Sequence, residues 1–124
     1  MRYLLDSNVI IAAIDGDIAS LRERLAECDE DDLVTSAIAY AEVAHGSMKG
    51  KPPAIDILDA FLADIPVLPF DGGAAMAYAS LPFERGSYDR LIAAHAISLG
   101  LTVVTRNERH FAGIPDLCVK NWTK

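Results

Sequence analysis

Five short runs rich in leucine and β-branched residues punctuate the chain: Tyr3-Leu-Leu5, Leu33-Val34-Thr35, Pro66-Val67-Leu68, Leu101-Thr-Val-Val104 and Leu117-Cys-Val119. Longer stretches with helical periodicity separate them. Parallel strands need a crossover to join them, and a helix supplies it, so this alternation restricts the fold to α/β. The pattern predicts one domain over residues 1–124, with a parallel sheet of about four or five strands and helices on both faces. A chain of 124 residues has room for a single core, which buries roughly two-thirds of the unfolded chain's surface. No internal repeat, low-complexity tract or linker interrupts it.

Composition removes several classes of function. With 52% hydrophobic and 23% charged residues the chain is globular and not disordered. No apolar run reaches the ~18 residues needed to span a bilayer, and Met1-Arg2 leads into the first strand without a signal-peptide pattern, so the expected location is cytoplasmic. Cys28 and Cys118 are isolated and outside any metal-ligand spacing. The net charge of −7 has the wrong sign for a broad basic face that grips nucleic acid, which argues against a DNA-binding module. It leaves room for an enzyme that holds a polyanion through bound divalent cations, and it suits a basic partner.

The helical stretches place the polar residues. Ile18, Leu21 and Leu25 recur at helical spacing over Ile18 to Glu27, and Asp29-Glu-Asp-Asp32 ends the pattern as a solvated loop. Thr35-Ser36 can cap a helix from Ala37 to Met48, on which Ile38, Glu42, His45 and Gly46 share a face. Glu42 has small or apolar neighbours on nearly every side, which predicts a partly buried groove. Its neighbour His45 reads as an ordinary helix residue. Pro52-Pro53 precedes a helix from Ala54 to Ala63 with an acidic outer face, and Asp71 caps a helix from Ala74 to about Ser80. Pro82 to Gly86 reads as a loop. Ser87 caps a buried helix from Tyr88 to Leu99, and Gly100 ends it. His95 lies six positions beyond Asp89, about 240° round the helix at roughly 100° per residue, so it faces elsewhere and reads as structural. Phe111 and Trp122 read as packing residues.

Three acids stand where an open α/β sheet presents its active edge: Asp6 closes the first strand, Glu42 lies on an otherwise apolar helix, and Asp89 sits at a helix N-terminus before the fourth strand. Each has a plain alternative, since Asp6 can simply cap a helix and Asp89 can simply complement a helix dipole. Gathered in one cleft, however, ionised carboxylates repel unless hard cations such as Mg²⁺ or Mn²⁺ bridge them. Metals held this way activate water and stabilise a leaving oxygen in phosphodiester hydrolysis. Thr105 and Asn107 follow the neighbouring strand and are polar groups able to orient such a site, as is Ser7.

Leu4-Leu-Asp-Ser-Asn-Val-Ile10, Thr35 to Gly46, Tyr88 to Ala96, Gly100 to Asn107 and Asn121-Trp122 resemble, in order, the sequence blocks of the PIN-domain family. The resemblance spans nearly the whole chain and is closest to the VapC-type toxins of prokaryotic toxin–antitoxin systems and to FitB-like relatives. It implies a Mg²⁺- or Mn²⁺-dependent endoribonuclease with Asp6, Glu42 and Asp89 as metal-binding acids and Thr105 as a site-lining hydroxyl. It also implies a homodimer silenced by a VapB-type antitoxin that lies across the acid groove, with DNA bound only through that antitoxin. One departure stands out: where relatives often carry a fourth carboxylate, this chain has Asn107 and His110. The alternative is a FitB-like module that acts mainly in a DNA-bound repressor complex and has little nuclease activity. A guanidinium from the partner could pair with two of the acids in a bidentate fork. The apolar surfaces around Ile38, Ala41 and Val43, and around Ile10 and Ile14, are expected to serve the partner groove or a homodimer contact.

Overall fold

In the computed structural model, which describes residues 1–82 and 87–124, each of the five apolar runs forms a strand. They are β1 (Tyr3–Leu5), β2 (Leu33–Ser36), β3 (Val67–Leu68), β4 (Thr102–Val104) and β5 (Cys118–Lys120). All four pairings are parallel, in the order β3-β2-β1-β4-β5. Leu4 stands between Val34 and Val103 in the register. Leu4 and Leu5 are both fully buried, and since successive strand residues point to opposite faces, both faces of the sheet are covered.

Among the described residues six helices provide that cover: α1 (Ser7–Asp15), α2 (Ala19–Glu27), α3 (Ala37–Met48), α4 (Ile55–Phe61), α5 (Gly72–Ala79) and α6 (Tyr88–Leu99). Their starts follow the capping chemistry of the sequence. Ser36 Oγ accepts from Ile38 N–H at 3.1 Å, Asp71 Oδ1 from Ala74 N–H at 3.0 Å, and Ser87 Oγ from Arg90 N–H at 3.4 Å. Gly100 closes α6 in the left-handed region at φ 67°. The helix expected from Ala54 to Ala63 is shorter at both ends and tightens into a 3-10 turn at Leu62–Asp64. Of the loop expected over Pro82 to Gly86, residues 83–86 lie outside the described residues. Among the described residues no helix is long and apolar enough to cross a membrane.

The chain winds outward from β1 to β3 and then returns to lay β4 on the other side of β1. That reversal sets the carboxyl ends of β1 and β4 side by side, where open sheets of this type hold ligands. Behind the edge, the packing roles read from sequence are filled. Trp122 is buried with its ring edge-on to Tyr3 at 4.7 Å between centroids, and Phe111 is buried in the same core. His95 is buried with Nδ1 2.8 Å from Ser36 Oγ and its ring edge-on to Phe70; burial holds its imidazole below the usual histidine value.

The apolar surface expected to serve a partner is in good part core. Ile10 is fully buried and Val43 nearly so, while Ile14 and Ile38 pack against the same cluster. α1 packs on α3, and α3 on α4 and α6, so these helices are apolar over more of their circumference than helices with one free side. Ala41 and Ile11 remain exposed.

Candidate active site

The strand–helix junction at Asp6 does two things with two different oxygens. Asp6 has the extended backbone of an N-cap, and its Oδ1 accepts from Ser7 N–H at 2.8 Å. Its Oδ2 accepts from the Thr105 hydroxyl, also at 2.8 Å. That bond follows from the sheet: β1 pairs with β4 so that Leu5 lies opposite Val104, and the next residues, Asp6 and Thr105, leave the sheet together. Asp6 is 1% exposed, so its carboxylate sits in the floor of the edge and not on the surface.

Asn8, which the sequence did not single out, braces this floor. Its Nδ2 donates to Thr105 Oγ1 at 3.4 Å and its Oδ1 accepts from Arg106 N–H at 3.1 Å. Its position in the first turn of α1, two residues past a strand-ending acid, is the only signal that could have found it.

Glu42 reaches the same edge from the middle of α3. It is half-buried, and its Oε1 is fully buried without a hydrogen-bond partner among the described residues. Asp89 comes from the first turn of α6, where its Oδ2 lies 3.2 Å from His110 Nδ1. Asp6, Glu42 and Asp89 lie within one another's fields. Burial raises Glu42 to about 7, with the charges of Asp6 and Asp89 adding to the shift and a hydrogen bond from Ser7 opposing it. Burial also raises Asp6; the bonds from Thr105 and Ser7 offset part of this, Asp89 adds to it, and His110 opposes it. Beside the cluster, Ile38, Ala41, Glu42, His45 and Tyr88 line a cavity of about 410 Å³.

The structure thus brings Asp6, Glu42, Asp89 and Thr105 to one edge. Asn107 differs: its backbone N–H donates to Thr105 Oγ1 at 3.1 Å, but the residue is exposed and lines a neighbouring cleft. Glu108 is also turned away, with Oε1 held by Lys124 at 2.8 Å and Asn121 at 3.3 Å, contacts that keep its carboxyl below the usual range. His110, noted in sequence only as the absence of an acid, is the residue of this segment that touches the cluster.

Three acids, a strand-ending hydroxyl and a doubly wound sheet coincide with a family match that covers residues 3–117, the PIN domain. The chain belongs to the PIN-domain family. Within it, the chain is 30% identical to the tRNA(fMet)-specific endonuclease VapC of Shigella flexneri, with 99% of each chain covered. It is 32% identical to ribonuclease VapC2 of Rickettsia felis over the whole of both chains. Among solved structures it superposes with a TM-score of 0.87 on a chain of the Rickettsia felis VapBC2 complex bound to a DNA fragment from its promoter, at 30% identity, covering 98% of this chain and 99% of that one. A chain of FitAcB from Neisseria gonorrhoeae superposes at 0.76, with 28% identity and 98% of each chain covered.

The acids of this PIN domain fit a hard divalent cation by their chemistry. The donors are all carboxylate oxygens, and the unpartnered Oε1 of Glu42 faces a field that a cation would relieve. They do not stand as a finished cage. Among the described residues no three His, Cys, Asp or Glu side chains are gathered closely enough to hold a metal ion, and one oxygen of Asp89 faces His110. The mutual fields act over longer distances than coordination bonds, so Glu42 and Asp89 would have to draw inward onto the pinned Asp6.

Proposed function

We propose that this PIN domain is a Mg²⁺- or Mn²⁺-dependent endoribonuclease, the toxin of a VapBC-type toxin–antitoxin pair, acting in the cytoplasm. The observation that carries the proposal is the convergence of Asp6, Glu42 and Asp89 on one edge of the sheet, where burial first, and then the charges of Asp6 and Asp89, raise Glu42 to about 7. Carboxyls perturbed by burial together with specific charge partners are concentrated at functional sites. Relatives that match the chain from end to end and are named as ribonucleases give that function its substrate class.

Asp6, Glu42 and Asp89 would hold the ion, which when bound supplies an activated water and neutralises charge building up on the phosphodiester. The remaining work falls to the chain's own side chains. Thr105 and the Ser7 amide fix the Asp6 carboxylate by its two oxygens. Asn8 ties the start of α1 to the segment after β4, so the two walls of the edge keep their spacing.

The chain acts as a homodimer bound by a VapB-type antitoxin, and it reaches DNA only through that partner. Support comes from the solved VapBC2 relative on promoter DNA and from the charge of −7, which favours a basic partner segment. An antitoxin Arg or Lys among the acids would compete with the cation.

A FitB-like repressor module with little nuclease activity is the second reading, favoured by Glu108, the acid of this segment, being held by Lys124 and Asn121. One experiment separates the two. The purified protein is incubated with a panel of RNAs in Mg²⁺, Mn²⁺ or EDTA, beside Asp6→Asn. Cleavage that needs the metal and is lost in Asp6→Asn supports the nuclease; equal cleavage in EDTA, or wild-type activity in Asp6→Asn, overturns it.

A further inference from the structure

Next to the acid cluster lies a cleft of opposite character. It has a volume of about 540 Å³ and every residue lining it is polar or charged. Arg106, Arg109 and Lys124 supply three cations against the single carboxylate of Glu108. Glu108 is already satisfied by Lys124 and Asn121. Among the described residues neither Arg106 nor Arg109 has a carboxylate partner, although acidic residues outnumber basic ones 18 to 11 in this chain. Two such guanidiniums in one cleft are out of keeping with so acidic a surface.

The cleft shares a wall with the acids. Thr105 bonds Asp6 and takes the Asn107 N–H, and His110 both lines the cleft and touches Asp89. The 3-10 turn Glu108–Phe111 holds this wall, and Asn121 fastens it to the C-terminal segment by donating to Arg106 O at 3.2 Å. The cleft and the acid cluster thus have His110 in common.

We infer that Arg106 and Arg109 hold the phosphate groups of the RNA strand flanking the bond to be cut. The inference rests on the ribonuclease reading above. Guanidinium forks match phosphate oxygens in pairs, and Asn107 adds amide donors of the same reach. No Phe, Tyr or Trp lines the cleft, and its charged donors match the sugar–phosphate backbone, whose contacts position a strand without reading its sequence. An acidic chain that must bring a polyanion to a ring of carboxylates gains a local anchor here that its net charge denies it elsewhere.

The test measures binding of a short fluorescent single-stranded RNA in EDTA, where cutting is suppressed, by anisotropy across a salt series. The proteins are wild type, Arg106→Ala/Arg109→Ala, and Arg22→Ala/Lys49→Ala, which removes equal charge elsewhere. With two phosphates no longer neutralised, the slope of log affinity against log salt should fall by about 1.4, and affinity near 0.1 M salt should drop roughly 10–30-fold. The control should match wild type, and in Mg²⁺ the cleft variant should raise KM with kcat kept. Unchanged affinity and slope in the cleft variant, or an equal loss in the control, overturns the inference while leaving the ribonuclease reading intact. An acidic peptide that binds wild type as tightly as the RNA and loses affinity equally in the cleft variant would also overturn it, as a dock for a protein segment. Wild type that neither binds nor cuts RNA removes both readings, and the cutting assay tells that case from the others.

Discussion

Two junctions in this molecule are written in the same local grammar and end with different fates. At β1–α1 an aspartate follows the strand at once and at β3–α5 it follows after two residues; each has an extended backbone and an Oδ1 that accepts a hydrogen bond from the first turn of the following helix. Asp71 is exposed, and beyond the cap its charge favours protonation of His95 against the larger opposing effect of burial. Asp6 is 1% exposed, bonded to Thr105, and in the field of two other acids. The difference lies in sheet order: β1 is central with neighbours on both sides, and β3 is an edge strand. Capping is decided by local chemistry, whereas membership of a site is decided by which strand lies next door.

The largest expected effect tests this directly. Asp6→Asn removes charge and keeps shape, and should lower metal-dependent RNA cleavage at least about a hundredfold, the scale for losing a preorganised charge-stabilising group. Asp71→Asn should leave cleavage unchanged, while Asp71→Ala should cost about 1 kcal/mol as a lost cap, or roughly 3–5 °C in Tm. Cleavage rates and thermal melts of the three proteins settle it. If Asp71→Asn is as inactive as Asp6→Asn, sheet position is not what distinguishes the junctions.

Glu42 separates stability from activity. Its carboxyl is raised from an ordinary 4.5 to about 7, so between those values the folded chain binds more protons than the unfolded one, and stability falls as pH rises through that window. Asp6 is raised too and acts in the same direction. Glu42→Gln should therefore melt at the same temperature as wild type near pH 4 and higher than wild type at pH 8 in EDTA. The gain should be of order 1 kcal/mol once solvent screening of this half-exposed group is allowed for. Adding Mg²⁺ or Mn²⁺ at pH 8 should raise the wild-type Tm and leave the variant's nearly unmoved, and the variant should be inactive. A variant less stable than wild type at pH 8 would show that Glu42 is held by contacts and not opposed by charge.

The same contrast explains what could be read from the sequence. Strand runs, caps and the three acids are local signals, and α3 and α6 span the residues that periodicity predicts. Asp6 and Thr105, however, meet across 99 positions. Only the strand order brings them together, and the family resemblance supplied what spacing could not. Asn107 stands two residues from Thr105 and reads in sequence as part of the same site, but it is exposed and lines the neighbouring cleft, just before the turn that begins at Glu108. His110, three residues on, comes back to Asp89 instead. Ile10 and Val43 show a different limit, since a helix apolar for a partner and a helix apolar for the core have the same composition.

Thr105→Val tests the bond that separates the two junctions. The isostere keeps packing and removes the donor to Asp6 Oδ2, so the Asp6 carboxyl should rise further and its orientation loosen. Cleavage should fall about tenfold, the lower end for losing a group that orients a metal ligand. Raising the metal concentration should recover part of that loss. A full wild-type rate at limiting Mn²⁺ would show that the Ser7 amide alone positions Asp6.

The smallest effect belongs to Asn107. The family resemblance implies a fourth carboxylate in this segment, so Asn107→Asp looks from sequence like the repair of an incomplete site. In the structure Asn107 is exposed and lines the cleft of Arg106 and Arg109, and its backbone N–H donates to Thr105. A new charge there is screened from Asp6, Glu42 and Asp89, and the metal concentration for half-maximal cleavage should move by less than about twofold. The charge should be felt instead in the cleft, as RNA affinity in EDTA a few-fold weaker. His110→Asp, which places a carboxylate beside Asp89, should shift the metal requirement more than Asn107→Asp does. If titration with Mn²⁺ shows the reverse order, the segment after β4 folds its asparagine toward the acids, and the division of this edge into an acid cluster and a basic cleft is wrong.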